Sequence, residues 1–205
     1  MGFAAQQDQW KSLDVSRETL DKLQAYGDLL VKWQAKINLV SKSTLDDLWT
    51  RHLLDSAQVF PYLPKETKTL VDIGCGAGFP GLVLAIMGVP DVHMVDSDMR
   101  KMAFVREAAR VTETPVTIHN CRINDVKEIE FADVVTSRAL ATLEKLLGFS
   151  ERLRKSDGTC IFLKGRKTQE EVLEAQKSWD FDYQSHGSLS DPEGQVVIIE
   201  RMTRK

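Results

Sequence analysis

The fold of this chain is decided by one stretch, Val71-Asp72-Ile73-Gly74-Cys75-Gly76-Ala77-Gly78-Phe79-Pro80-Gly81. It places four glycines within eight residues, directly after a run of strand-forming residues. Glycines are needed where the backbone approaches a ligand closely, because a Cβ would occupy that space. Pro80 favours the first position of a helix. The stretch therefore predicts a strand, a ligand-binding loop and a helix, the unit with which open α/β sheets hold nucleotide-like cofactors.

The alternation of strand and helix patterns continues from this stretch to the end of the chain. Strand patterns fall at 69–73, 92–96, 116–119, 132–136, 159–163, 181–187 and 195–200, and helical patterns near 80–88, 98–110, 141–153 and 168–178. This order predicts one α/β domain of residues 67–205, with a seven-stranded, mostly parallel sheet covered on both faces. The turn 190–194 predicts an antiparallel hairpin at one edge.

Residues 1–66 predict an N-terminal helical appendage. Ser16 is a helix N-cap candidate, and apolar residues recur at helical spacing from Leu20 to Ile37, which predicts one helix of about six turns. A second helical pattern runs from Thr44 to Pro61. A chain of 205 residues can form one sizeable core, so we expect one domain with this appendage.

Composition and charge narrow the classes of function. The net charge is −3 with an isoelectric point near 5.8, so a nucleic-acid partner must be met by a local patch. The segment 151–170 offers one, with six Lys or Arg against three Asp or Glu. The three cysteines lack the spacing of a metal site, and no apolar run could span a bilayer. We therefore expect a cytoplasmic monomer without a metal and without a membrane partner.

Two cofactors are compatible with the glycine loop. Residues 76–81 read G-x-G-x-x-G, the dinucleotide signature, which leaves a nicotinamide-dependent dehydrogenase as an alternative. Asp72 favours S-adenosyl-L-methionine, because its carboxylate would repel a pyrophosphate and suits a sulfonium and an ammonium. Asp96, at the end of the second strand, can accept hydrogen bonds from the ribose of either cofactor.

The acceptor of a transferred methyl group is indicated by the loop after the fourth strand, Ser137-Arg138-Ala139. It lacks the Asp/Asn-Pro-Pro-aromatic stretch that enzymes methylating exocyclic amino groups carry there. Cys121 and Cys160 lie in or beside strands, without the loop that a cytosine C5 nucleophile needs. Guanine N7 needs neither a base nor a nucleophile, since it has a lone pair and no proton to lose. Direct in-line attack then requires mainly positioning.

Six segments together resemble the glucose-inhibited division protein B family, the bacterial 16S rRNA guanine-N7 methyltransferases. They are Asn38-Leu39-Val40-Ser41, Arg51-His52-Leu53-Leu54-Asp55-Ser56, Asp72 to Gly81, Asp96-Ser97, Ser137-Arg138-Ala139 and Leu163-Lys164-Gly165. The resemblance covers nearly the whole chain and implies a class I S-adenosylmethionine-dependent methyltransferase, a Rossmann-like fold with an N-terminal helical appendage. It implies that the substrate is 16S rRNA, and the acidic charge leads us to expect a ribosomal particle or assembly intermediate.

The resemblance also implies roles for individual residues. Gly74 and Phe79 contact the cofactor, Ile123 and Asn124 lie by the adenine, and Arg138 closes the site as its catalytic residue. Many relatives carry an acidic residue at the adenine segment, where this chain has Asn124-Asp125. With the residues of the glycine-loop argument, the predicted cofactor contacts are Asp72, Gly74, Gly76, Gly78, Phe79, Asp96, Ile123, Asn124 and Arg138. Because guanidinium groups pair with phosphates and stack on bases, the predicted RNA contacts are Arg51, Arg138, Lys164 and Arg166.

Two further functions are compatible with the same predicted fold. A methyltransferase acting on a small molecule or a protein could use Arg138 and Lys164 to hold an acidic substrate. A binding module could keep the cofactor pocket and assist ribosome assembly without turnover.

Overall fold

The computed structural model describes residues 7–205 except positions 128 and 130, so the first six residues of the predicted appendage lie outside the described part. One sheet contains the strands β1 Thr69–Ile73, β2 Asp91–Val95, β3 Thr117–His119, β4 Ala132–Arg138, β5 Arg154–Lys164, β6 Trp179–Gly187 and β7 Gln195–Arg204. Their order is β3-β2-β1-β4-β5-β7-β6. Strands β1 to β5 pair in parallel, and β7 is antiparallel to both of its neighbours. The predicted sheet and its edge hairpin are confirmed.

Eight α-helices flank the sheet or precede it in the described part of the chain. They are α1 Gln7–Ser12, α2 Arg17–Gln34, α3 Lys42–Leu45, α4 Asp55–Ala57, α5 Gly81–Ile86, α6 Met99–Val111, α7 Leu143–Ser150 and α8 Thr168–Ala175. Ser16 is the N-cap of α2, and its hydroxyl accepts the Thr19 N–H at 3.1 Å. Pro80 occupies the N-cap of α5 rather than its first turn. No helix of the residues described here is long and apolar enough to cross a membrane.

Helix α2 is shorter than the predicted six turns because the side chain of Gln34 organises the chain after it. The Gln34 Oε1 atom accepts the N–H groups of Leu39 at 2.9 Å and Val40 at 3.1 Å. Its Nε2 atom donates to the Val40 carbonyl at 2.9 Å. These three bonds satisfy the backbone of a fixed turn, which ends the helix at Gln34 although the apolar pattern continues to Ile37.

The second predicted helix, 44–61, is not continuous. It consists of α3, a π-helical turn Trp49–Leu54, α4 and a 3₁₀ turn Phe60–Tyr62. A π turn holds one more residue than an α turn, which the spacing of apolar residues cannot reveal. Two consecutive residues of this turn, Arg51 and His52, line one cleft.

The appendage and the sheet share one hydrophobic core. Buried residues of α2 and the π turn, among them Leu23, Leu30 and Leu53, belong to the same cluster as Leu82 of α5 and Phe104 of α6. The opposite face of the sheet carries a second cluster that α7, α8 and Trp179 cover. Because the appendage packs on the face next to the glycine loop, it is placed to contribute to a site there.

Candidate active site

The glycine loop leaves the carboxyl end of β1 in a backbone conformation that favours glycine. Gly74, Gly76 and Gly78 have φ angles of +66°, +56° and +102°. The N–H groups of Gly74 and Cys75 both donate to the Val95 carbonyl, at 2.8 and 3.2 Å, which fixes the loop against β2. A Cβ on Gly76 would meet no protein atom within 4 Å. This side of the loop therefore faces open space that a ligand can fill.

Tyr26 of α2 supports the glycine loop from its buried side. It is fully buried, and its hydroxyl donates to the Ala77 carbonyl at 2.5 Å. A Cβ on Gly78 would lie 2.9 Å from that hydroxyl oxygen. The side chain thus leaves room only for glycine at 78, and Gly78 serves the packing of the loop rather than its open side.

Tyr26→Phe is expected to destabilise the folded protein by about 1–3 kcal/mol, because the Ala77 carbonyl loses its donor in a buried place. Urea unfolding measures this difference. Tyr62→Phe is the matched control, since the Tyr62 hydroxyl has no hydrogen bond recorded in the described part of the chain and its ring stacks on His186. Equal stabilities for the Tyr26 and Tyr62 variants would contradict the supporting role of Tyr26.

Asp72 lies beneath the loop and does not line the cleft. It is fully buried, its Oδ2 accepts the Gly81 N–H at 2.8 Å, and its Oδ1 accepts the Thr136 hydroxyl at 3.2 Å. Burial raises the pKa of this carboxyl to about 7, although both hydrogen bonds lower it. A Cβ on Gly81 would come within 2.7 Å of the Asp72 Cβ. The carboxyl group therefore fixes the start of α5. The sequence had instead predicted that the charge of Asp72 faces the cofactor.

Two clefts meet beside the loop. The larger, of about 820 Å³, lies between the glycine loop, the π turn, the residues after β4 and the β6–β7 hairpin. The smaller, of about 360 Å³, includes Ile123 and Asn124. Gly74, Asp96 and Leu140 line both clefts. The structure thus brings the predicted residues Gly74, Gly76, Phe79, Asp96 and Arg138 to the larger cleft, and the two predicted adenine residues to the smaller one.

Asp96 lies where the two clefts meet, and its carboxylate can accept further hydrogen bonds. Its Oδ2 accepts the Gly76 N–H at 2.9 Å, and its Oδ1 accepts the Asp98 N–H at 2.8 Å. Each carboxylate oxygen has two lone pairs, so one on each remains for a second donor. The two backbone bonds orient the carboxylate, and the half-buried position leaves it open to a pair of hydroxyl groups.

Leu140 separates the two clefts above Gly74. Its Cδ1 and Cδ2 atoms lie 2.6 and 2.8 Å from the position that a Gly74 Cβ would take. Ala139, which precedes it, has a φ of +52°, a conformation that non-glycine residues seldom adopt. The Leu140 side chain therefore lies against the Gly74 backbone, and a ligand that occupies both clefts must displace it.

The Arg138 guanidinium is held by the appendage. Nη2 bonds with His52 Nδ1 at 2.9 Å, and Nη1 donates to Asp55 Oδ2 at 3.2 Å and to the Arg51 carbonyl at 3.0 Å. The guanidinium carbon lies 4.8 Å from the centre of the Phe79 ring. Three acceptors and one aromatic face thus fix a cation that is only 17% exposed.

His52 is a neutral acceptor for Arg138. Burial, followed by the charges of Arg138 and Arg51, lowers its pKa to about 3. Nδ1 faces Arg138, which can only donate, so Nε2 carries the proton and donates to the Thr44 hydroxyl at 2.8 Å. The ring also packs 5.2 Å from Phe79. His52 and Asp55 were not predicted as functional residues; their only signal was the segment 51–56 of the family resemblance.

His52→Gln should change the free energy of unfolding less at pH 5 than at pH 8. Between its ordinary pKa of 6.5 and its folded pKa of about 3, the unfolded wild type binds a proton that the folded protein does not. The contribution of His52 to wild-type stability therefore falls with pH through this range, by about 2 kcal/mol at pH 5, and the variant lacks this contribution. Asp72 titrates alike in both proteins and cancels. Urea unfolding at both pH values checks this, and a pH-independent difference would contradict it.

The cations predicted to contact RNA are largely engaged within the protein. Arg51 pairs with Asp191 at 2.7 Å, and Lys164 pairs with Glu171 at 2.6 Å and donates to the Ala141 carbonyl at 2.8 Å. Arg166 is exposed but does not line the larger cleft. Elsewhere in 151–170, Arg154 is buried against backbone carbonyls and Lys155 pairs with Asp133. The basic excess of this segment therefore does not form one free cationic face.

Comparison with known proteins places this site in a family. A family model described as rRNA small subunit methyltransferase G, GidB, matches residues 19–203. Two relatives, each named Ribosomal RNA small subunit methyltransferase G, are similar over nearly their whole length. The protein from Paramagnetospirillum magneticum is 55% identical over 190 residues, 93% of this chain and 92% of its own. The protein from Rhodospirillum centenum is 52% identical over 188 residues, 92% and 87% of the two chains.

Solved structures share the fold at low sequence identity. A ribosomal protein L11 methylase from Lactobacillus delbrueckii subsp. bulgaricus has a TM-score of 0.59 and 18% identity, covering 71% of this chain and 76% of its own. TYW2 from M. jannaschii, in complex with AdoMet, has a TM-score of 0.58 and 18% identity, covering 83% and 80%. Together with the strand order, these likenesses confirm the predicted class I methyltransferase fold.

Proposed function

Because this chain belongs to the rRNA small subunit methyltransferase G family, whose members are S-adenosylmethionine-dependent methyltransferases, we propose that it methylates N7 of a guanine in 16S rRNA. The observation that carries this proposal is the cleft in which the glycine loop meets the fixed guanidinium of Arg138. Family membership favours methyl transfer over the hydride transfer that the glycine loop alone also allowed.

The residues of the two clefts fit S-adenosylmethionine, which supplies the methyl group when bound. The open side of Gly76 and the positive φ of Gly74 form a cradle in which no Cβ intervenes. Asp96 would accept the ribose hydroxyls with its remaining lone pairs. Ile123 and Asn124 line the smaller cleft and would hold the adenine there, with the Asn124 amide able to hydrogen-bond the edge of the base. The Phe79 ring stacks on the Arg138 guanidinium and positions it. Asp72, Gly78 and Tyr26 hold the glycine loop from its buried side.

The titratable groups that line the larger cleft favour a methyl acceptor that has no proton to lose, because those described below are already engaged or buried. His52 uses both ring nitrogens, and burial raises the pKa of the Cys75 thiol well above its ordinary value. Each described carboxylate that lines this cleft already accepts hydrogen bonds: Asp55, Asp96, Glu171 and Asp191. Guanine N7 has a free lone pair and needs no base, so the protein has only to align it with the methyl group. We therefore propose direct in-line attack of N7 on the methyl group.

Incubation of the protein with methyl-labelled S-adenosylmethionine and small ribosomal subunits tests the proposal. The expected product is 7-methylguanosine in the digested 16S rRNA, formed with subunits from a host that lacks this protein. A label found in another nucleoside, in ribosomal protein or in no product would overturn the assignment. Persistence of the modification in the host that lacks the protein would overturn it equally.

We also infer where and on what form of the RNA the protein acts. The net charge of −3 favours a structured particle, in which shape and partner surfaces supply what overall charge does not. We propose in addition that the protein acts as a monomer in the cytoplasm, where small subunits are assembled. Equal rates on naked 16S rRNA and on assembled subunits would contradict the preference for a particle.

A further inference from the structure

A second groove adjoins the larger cleft on the appendage side. It has a volume of about 640 Å³ and is lined by Lys101 of α6 together with the end of α2 and the chain that follows, residues 34–42. Leu39, Val40, Ser41 and Lys101 line both this groove and the larger cleft. The two depressions are therefore adjacent. We call the second one the lysine groove.

The lysine groove is cationic although the protein as a whole is acidic. Its lining contains Lys36, Lys42 and Lys101 and no carboxylate, whereas the whole chain has a net charge of −3. Lys36 and Lys42 are exposed. None of the three has an ion-pair partner among the described residues, in contrast to Arg51 and Lys164 at the larger cleft. These ammonium groups are therefore available to an anionic partner.

The backbone that carries Lys36 and Lys42 is fixed before any partner arrives. The three hydrogen bonds from Gln34 hold Leu39 and Val40, and Gln34 Nε2 also donates to Asn38 Oδ1 at 3.2 Å. A preorganised turn loses little conformational entropy on binding. The polar groups of Asn38 and Ser41 lie between the two lysines and can donate hydrogen bonds to phosphate oxygens.

We propose that the lysine groove binds the phosphate backbone of the single-stranded RNA next to the guanine that enters the larger cleft. This inference rests on the proposed function. A base that enters an active site leaves its stack, and its neighbours must follow the surface away from the site. The lysine groove is a cationic surface of that kind, since it adjoins the cleft and shares four lining residues with it. Cationic grooves that track the backbone are the usual means of holding single strands.

The double variant Lys36→Ala, Lys42→Ala tests the proposal by equilibrium binding to purified small ribosomal subunits between 50 and 200 mM salt. Each phosphate contact on a single strand contributes about 0.7 to the slope of log K against log salt. Loss of two contacts should reduce that slope by about 1.4 and weaken binding about 25-fold at 0.1 M salt. Because the larger cleft is untouched, kcat at saturating subunits and the affinity for S-adenosylmethionine should stay at wild-type values.

Lys65→Ala, Lys145→Ala is the matched control. Both lysines are exposed, neither lines the larger cleft or the lysine groove, and the double variant changes the net charge equally. It should keep the wild-type slope and affinity. An unchanged slope in the Lys36, Lys42 variant, or an equal loss in the control, would overturn the proposal.

The chemical identity of the partner is tested separately with a photoreactive amino acid in place of Lys42. Irradiation of the complex with small subunits should attach the protein to 16S rRNA. Attachment to a ribosomal protein instead would overturn the assignment of the groove to RNA. If wild-type protein methylates no 16S rRNA, the proposed function fails, whereas normal wild-type methylation with an unchanged slope in the Lys36, Lys42 variant refutes the groove alone.

Discussion

Gly74→Val is expected to lower the affinity for S-adenosylmethionine by at least about 100-fold, which corresponds to about 2.7 kcal/mol. Gly74 has a φ of +66°, which a β-branched residue adopts only at a cost of about 1–3 kcal/mol. Its new Cβ would also lie 2.6 Å from Leu140 Cδ1. The valine would therefore take the space over the Gly74 backbone where the two clefts meet, which Leu140 fills and which the cofactor is proposed to occupy. Isothermal titration calorimetry measures the loss.

Gly88→Val is the matched control for backbone strain. Gly88 also has a positive φ, +113°, but it lies after α5, lines none of the described clefts, and a Cβ there would meet nothing within 4 Å. This variant should lose stability and keep its affinity for S-adenosylmethionine. If Gly74→Val and Gly88→Val bind the cofactor equally well, Gly74 does not line the cofactor path.

Much of the fold follows from local sequence patterns. A strand needs only a short run of suitable residues, so β1, the loop after it and the hairpin between β6 and β7 were predicted close to their observed bounds. The π turn was missed because the apolar residues of 44–61 keep an approximately helical spacing on both sides of it. The end of α2 at Gln34 was missed because it depends on side-chain bonds to the following turn.

The chemistry of the site was harder to predict because it depends on contacts between distant parts of the chain. Lys164 was predicted to contact RNA from its place in a basic segment, yet Glu171 and the Ala141 carbonyl engage its charge. Asp72 was predicted from its place beside the glycines, but only the fold shows that its carboxyl group points beneath the loop. Residue type indicates which groups can carry a charge, whereas three-dimensional packing decides which charges remain available to a substrate.

This distinction also explains why an acidic protein can serve an RNA substrate. Around the larger cleft, the described cations Arg51, Arg138 and Lys164 each have an acidic partner, which organises the site at little net charge. Lys36, Lys42 and Lys101, which have no such partner among the described residues, line the adjoining lysine groove, and Lys101 also lines the larger cleft. We therefore propose that one set of cations shapes the place of reaction and that the other holds the RNA strand.

Arg138→Ala should lower kcat/KM for small subunits by about 100-fold to 1000-fold, the usual cost of removing one preorganised donor from a reaction centre. The affinity for S-adenosylmethionine should fall less than tenfold, because the proposed contacts at Asp96, Ile123 and Asn124 remain. Arg138→Lys should recover little, since an ammonium cannot reproduce the planar guanidinium that stacks on Phe79. Single-turnover methylation and calorimetric titration separate the two effects, and wild-type turnover in Arg138→Ala would remove this residue from the site.

The contribution of the appendage can be tested in the same experiment with His52, because its Nδ1 atom lies 2.9 Å from Nη2 of Arg138. His52→Ala should reduce turnover by loosening Arg138, so the double variant should be no slower than Arg138→Ala alone. Such non-additivity is expected only when one residue acts through the other. Additive losses would mean that His52 contributes by a separate route, and thermal unfolding of all three variants shows whether any loss of turnover reflects loss of fold. The expected pattern would make the appendage part of the active site, since it would determine where the guanidinium that stacks on Phe79 can point.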